Sequence, residues 1–156
     1  EVQQLLQAEL QRGVDLFDQR YQPIAGTAPV KYRTVYDGKL EKLLQPMLDK
    51  LVGLIPGGKF CVAVDGNGYA PTHNSWYSRP LSGDAARDLA ESRDKRIFND
   101  PAGLRAARNN QPFLLQTYSR DTGEVLSEVV LPLQLRGRHW GALRVGFDPN
   151  SLLAQG

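Results

Sequence analysis

Cysteine is almost missing from this 156-residue chain: Cys61 is the single one, so no internal disulfide and no cysteine-based metal site can form. Set within Phe60-Cys61-Val62-Ala63-Val64, it reads as a small core residue rather than a reactive thiol. Histidine is nearly as scarce. His73 and His139 lie far apart on different predicted strands, and neither belongs to an HExxH pattern, which argues against a zinc site. No apolar run approaches the ~20 residues of a membrane span. The most apolar stretch, residues 43–56, is broken by Asp49 and Lys50 and reads as an amphipathic helix. The first ten residues lack the basic start and small-residue cleavage site of a signal peptide. They open in mid-helix, as a piece of a longer protein would. Neither sign of charge dominates: 19 basic and 17 acidic residues leave a net +2, too balanced to require nucleic acid or acidic lipid as a partner.

Enzyme signatures are absent as well. There is no GxSxG elbow, and a serine, a histidine and an aspartate can be picked from any chain this long, so a triad is not indicated. The Gly66-Asn67-Gly68 turn joins two predicted strands and does not open a helix, and there is no P-loop, so nucleotide binding is rejected. The expectation is a protein that is not an enzyme and carries no cofactor and no metal.

What is present is the composition of one soluble globular domain, 41% hydrophobic and 23% charged, spanning 1–156. Val2, Leu5, Leu6, Leu10, Val14 and Phe17 recur at spacings of three and four, one stripe of a helix that Gly13 weakens without necessarily ending. Residues 21–29 hold two prolines and a glycine and form a loop. Tyr36, Leu40, Leu43, Leu44, Met47, Leu48 and Leu51 make a second helix, stopped at Ile55-Pro56-Gly57-Gly58. A hairpin follows, turning at 65–68. Asp84 is positioned to cap one short helix, and Asp100 precedes Pro101 at the start of another. Three consecutive strands then run from Phe113 to Phe147 in a meander, with turns at Asp121-Thr122-Gly123 and Arg136-Gly137-Arg138. Residues 151–156 start an exit helix in this reading. The fold class expected is α+β: five antiparallel strands flanked by helices.

The segments Phe60–Ser78, Arg93–Asn109, Leu114–Glu124 and Arg136–Phe147, taken together, resemble the PDC/Cache (PAS-like) sensory domains of bacterial methyl-accepting chemotaxis proteins. The likeness covers about 59–148, and the helical lead-in, 1–55, fits the long N-terminal helix of such domains. It implies a PAS-like five-stranded antiparallel sheet with the long helix on one face and a ligand-enclosing layer on the other. It also implies an inner-membrane-associated bacterial receptor, coupled to the chemotaxis kinase machinery, that signals by small movements of its terminal helices. Whether the domain is periplasmic or cytoplasmic stays open.

The candidate ligand residues are His73, Trp76, Tyr77, Arg96, Gln116 and Tyr118. Arg93 and Arg96, three apart, read either as a solvated face paired with Asp88, Glu91 and Asp94 or as an inward clamp, since a guanidinium grips a carboxylate with two parallel bonds. Strand alternation places Leu114, Gln116 and Tyr118 on one side and Phe113, Leu115 and Thr117 on the other. A side holding Gln116 and Tyr118 is either a half-exposed sheet face or a pocket wall. His73, Trp76 and Tyr77 offer walls and a directed donor, or simple lid packing. Trp140 reads as a packing residue, and His139 as a histidine hydrogen-bonded within the sheet. The partner expected is a small polar metabolite, with a carboxylate weakly favoured. The alternative is a dimerisation or protein-interaction module without a small ligand; a homodimer would pair the opening helix with its twin.

Overall fold

The computed structural model describes residues 1–151. In chain order these form α1 (Val2–Gln11), β1 (Gln22–Pro23), β2 (Tyr32–Arg33), α2 (Asp37–Gly53) and β3 (Gly58–Asp65). A single 3-10 turn follows (Ser75–Tyr77), then α3 (Ala85–Glu91), α4 (Pro101–Ala107), β4 (Leu114–Ser119), β5 (Val125–Leu135) and β6 (Arg138–Phe147). The class is α+β. The main sheet has four antiparallel strands in the order β3-β6-β5-β4, and β1 pairs with β2 apart from it. The exit helix expected from residue 151 onward falls mainly on 152–156, outside the described residues.

Two expectations require correction. The sheet is not five-stranded, because the chain after the 65–68 turn does not return along β3. The Asp65 carboxylate takes the N–H groups of Asn67 (3.0 Å) and Tyr69 (2.9 Å), which tightens the turn. Pro71 then lacks the N–H that a continuing ladder would need. Residues 68–70 pair instead with the segment 95–98: Phe98 N–H donates to Gly68 (2.8 Å), Lys95 N–H to Ala70 (2.7 Å), and Ala70 N–H to Arg96 (3.0 Å). The approach is so close that a Cβ on Gly68, at φ +85°, would run into the Phe98 carbonyl. The outer edge of β3 is served by a side chain, Asn74 Oδ1 accepting from Cys61 N–H at 2.8 Å.

The lead-in is likewise not the long helix that the resemblance implies: it is two helices joined by a loop, as the sequence pattern predicts, and the first ends short of Val14 and Phe17. Gly13, at φ +89°, follows the end of α1 at Gln11, and α2 begins only at Asp37. The helices nevertheless share one side of the sheet. Leu6 of α1 and Leu40, Leu44 and Leu48 of α2 are fully buried against Cys61, Ala63, Leu133 and Leu143. Burial pushes the Cys61 thiol up to about 12, so it is an inert packing group. Trp140 is buried with them and donates its indole N–H to the Leu16 carbonyl (2.7 Å). The short helices begin where the sequence places them: Asp84 accepts the Arg87 N–H (3.0 Å) at the start of α3, and Pro101 opens α4.

Alternation along the strands sends Phe60, Val62, Val64, Leu126, Val130 and Ala142 to the other side, where Ala106 and Ala107 of α4 cover part of it. Gly141 lies where β6 crosses between β3 and β5. A Cβ there would overlap the Val64 carbonyl. Gly141→Ala is therefore expected to cost about 1–3 kcal/mol, as overpacking does. Urea denaturation checks it; a midpoint equal to that of the parent chain refutes the packing argument.

Candidate functional site

On the sheet face opposite α1 and α2, where α4 does not reach, lies a cavity of about 350 Å³. Its floor is Phe60 and Val62 of β3, Tyr118 of β4 and Arg144 of β6. The 93–100 segment forms one wall, and the β4–β5 turn, carrying Arg120 and Asp121, forms another. His73 closes the end near the 3-10 turn.

Four guanidinium groups converge on this space, all with side chains no more than 12% exposed. Arg144 is the deepest. It meets the fully buried Glu128 in a fork, Nε to Oε2 at 2.8 Å and Nη2 to Oε1 at 3.0 Å, and also donates to the Tyr118 hydroxyl (3.2 Å). Burial opposes the Arg144 charge, but Glu128 and Tyr118 outweigh it and hold the group protonated more firmly than usual. Arg93 and Arg96 share Asp121, at 2.8 and 2.9 Å, and both stack over the Phe98 ring (5.2 and 5.0 Å). Burial and the neighbouring Arg120 push Arg93 down to about 10, and its buried Nε has no hydrogen-bond partner among the described residues. Arg120 lies 5.5 Å from the Phe60 ring centre and 5.2 Å from that of Tyr77. Its carboxylate contact, to Glu124 at 3.3 Å, is long.

His73 is buried among these cations. Its Nδ1 accepts the Asn74 N–H at 2.8 Å, which in the neutral ring leaves the proton on Nε2, and Nε2 has no partner among the described residues. Burial, then the charges of Arg93, Arg120, Arg144 and Arg96, hold its pKa well below the ordinary 6.5. It is a neutral donor on a cavity wall.

Of the candidate residues, His73, Arg96 and Tyr118 line this space. Tyr77 stands behind them, its ring 5.1 Å from His73 and against Arg120. Trp76 does not line the cavity: on the 3-10 turn it is 38% exposed. Neither does Gln116. Its amide is held by Glu128 (2.6 Å) and the Ala102 carbonyl (3.0 Å), and Arg105 donates to it (3.0 Å), so α4 covers it. Residues 93–96 are not a solvated helical face paired with Asp88, Glu91 and Asp94. Asp88 is taken by Ser82 and Gly83, Glu91 by Arg87 and Asp94 by Lys31, while both arginines turn inward to Asp121.

Sequence reasoning misses Arg120, Asp121, Glu128 and Arg144 as site residues. A signal exists for two of them: Glu128 and Arg144 fall on the same side as apolar Val62, Leu126, Val130 and Ala142, inside strands otherwise built for a core. His139 donates its Nε2–H to the Ala107 carbonyl (2.8 Å), away from the cavity. Among the described residues no group of three or more His, Cys, Asp or Glu is placed to hold a metal ion, and no helix is long and apolar enough to cross a membrane. The geometry defines an α+β domain with a cationic, aromatic-walled cavity on the sheet face opposite α1 and α2. No family model matches the chain, and no curated protein matches it.

Two consequences are measurable. Glu128→Leu strands the Arg144 charge in the interior and is expected to cost about 3–5 kcal/mol, whereas the pair Glu128→Leu with Arg144→Leu recovers most of that loss. A double variant as unstable as the single one contradicts the isolated-charge account. Second, because the folded-state pKa of His73 is depressed, the unfolded chain binds the extra proton first as pH falls. Stability is full above pH 6.5 and drops below it, by at most about 1.4 kcal/mol per pH unit for this group. His73→Gln should flatten the stability profile between about pH 6.5 and 5, read by denaturation at each pH; an unchanged slope rules His73 out as the source.

Proposed function

We propose that this chain is the ligand-sensing domain of a bacterial chemoreceptor, binding a small anionic metabolite in the arginine-lined cavity without turning it over. The observation that carries the reading is the convergence of Arg93, Arg96, Arg120 and Arg144 on one concave space. Like charges gathered in a partly dry site repel one another, and their carboxylate partners Asp121 and Glu128 offset only part of that. A further donor, His73 Nε2, stands on the same walls without a partner among the described residues. A carboxylate or similar anion satisfies both deficits, and Phe60, Phe98 and Tyr118 supply apolar and aromatic surface for its body.

The sensing half of the proposal is supported by residues 93–96. Arg93 and Arg96 face the cavity, while the two residues between them face the helical side of the molecule. Asp94 takes the Lys31 ammonium (2.5 Å), and Lys95, at φ +60°, pairs with Glu41 and lies 3.6 Å from Asp37, both in α2. The Lys95 carbonyl also accepts the Tyr32 N–H (2.8 Å). A ligand that draws on the two arginines thus loads α2 and the β1–β2 pair through one short segment. Occupancy shifts the helices only if the ligand binds their two arrangements unequally. The resemblance of 59–148 to PDC/Cache domains supports the receptor context, an inner-membrane protein coupled to the chemotaxis kinases, and a PAS-like reading of the sheet.

The second reading, a dimerisation or protein-interaction module, is favoured by the open edge of β4, where Phe113 and Leu115 are 65% and 59% exposed. A thermal-shift survey of small metabolites at pH 7 separates the two. Under the sensor reading, an anion at about a hundred times its Kd raises Tm by roughly 5–10 °C, and Arg120→Gln abolishes the rise. A survey in which no small molecule raises Tm, together with a tight ligand-independent dimer by light scattering, replaces the sensor reading with the second one.

A further inference from the structure

We propose that Asp121 is the residue that sets the charge of the ligand: it is a built-in carboxylate occupying the place of a second acidic group, and the cavity therefore selects monoanions over dianions. The inference rests on the anion-binding reading above and adds a specificity determinant to it.

The charges that face the space come first. Among the described residues, four guanidinium groups are opposed by four carboxylates: Asp121 and Asp100 on the walls, Glu128 directly behind Arg144, and Glu124 beside Arg120. Of the ion-paired carboxylates Glu124 is the most exposed and the most distant, so Arg120 is the least neutralised of the four cations. Arg144 is saturated by its forked contact with Glu128 and by the Tyr118 hydroxyl, so it has little to offer a ligand. Arg93 and Arg96 each commit a terminal nitrogen to Asp121, one on each of its oxygens. What remains is Arg120, whose partner Glu124 is 43% exposed and 3.3 Å away, together with the His73 Nε2. That is a site for a single carboxylate.

Asp121 is placed to act as an occupant rather than as part of the frame. Glu128 is wholly enclosed in the sheet, but Asp121 stands in the β4–β5 turn and its side chain is 34% exposed. The turn is closed by other groups: Arg120 N–H donates to the Glu124 carbonyl (2.8 Å) and Gly123 N–H to that of Arg120 (2.9 Å). The hydrogen bonds of the Asp121 carboxylate leave the turn and cross to Arg93 and Arg96. Burial alone would raise its pKa, but the two arginines draw it below the usual carboxylate range, so it stays charged at any pH at which a carboxylate ligand is charged. Replacing it by asparagine keeps the volume, removes the charge, and frees Arg93 and Arg96 for a second carboxylate.

The test uses a pair of probes alike in chain length and different in charge, butyrate and succinate. Both are titrated calorimetrically into the parent chain and into Asp121→Asn at one fixed ionic strength, since screening acts unequally on the two probes. The parent chain is expected to bind butyrate about tenfold more tightly than succinate, the cost of leaving a second carboxylate without a cation. In Asp121→Asn succinate is expected to gain about tenfold or more, while butyrate changes by less than about threefold. A succinate-to-butyrate ratio that is the same in both proteins overturns the proposal. So does a parent chain that prefers succinate, a result that needs no variant to fold. Failure of both probes to bind either protein removes the anion site itself. Butyrate binding that depends on Arg120 but ignores position 121 removes only the role given to Asp121.

Discussion

A charged pair lies on the sheet face opposite α1 and α2, beside the apolar Val62, Leu126, Val130 and Ala142, and much of the molecule is arranged around it. Burying Glu128 and Arg144 costs several kcal/mol of desolvation per ion, which mutual attraction offsets only with good geometry and further hydrogen bonds. Those further bonds are what organise the region. The Gln116 amide donates to Glu128 and to the Ala102 carbonyl, and so α4 is registered over β4. Arg144 donates to the Tyr118 hydroxyl, which turns that ring into the cavity floor. Apolar residues of equal volume would give a sheet at least as stable. They would give neither a seat for α4 nor a cation beneath the cavity.

The opposite face shows what the sequence makes easy. Leu6, Leu40, Leu44, Leu48, Cys61, Ala63 and Leu143 form an ordinary aliphatic layer, legible from helical and strand periodicity because burial there is the only force acting. Turn chemistry is legible for the same reason: Asp84, Pro101, Gly123 and Gly137 each have one local role. Legibility ends where a distant partner decides the outcome. The fifth strand is absent because residues 68–70 find better backbone partners in 95–98, well down the chain, and nothing in the alternation of 69–73 announces that. The opening helix stops short of Val14 and Phe17 because Gly13, which reads as a weak point, is an end.

The site divides along the same line. His73, Arg96 and Tyr118 can be found because each is an odd residue in its local pattern. Gln116 has the correct side of the strand but is screened by a helix whose position depends on Gln116 itself. Arg120 is invisible: an arginine beside a turn looks like every solvated arginine. Only the folded chain places it between the Phe60 and Tyr77 rings with its side chain 5% exposed. Arginine inside a domain is legible in sequence only when it interrupts an apolar strand, as Arg144 does.

Such an assembly works against stability in the empty protein. Three of the four arginines, 93, 96 and 120, are held near one another with less than full pairing, and the imidazole among them is kept neutral by burial and then by the same field. Local violations of good folding practice, unpaired buried donors and like charges in contact, concentrate at sites that do something other than hold the fold together. Here they concentrate within reach of a segment, 93–96, whose other two residues clamp α2 and β2. The cost of gathering the cations and the route by which their neutralisation would reach the helices therefore belong to the same four residues.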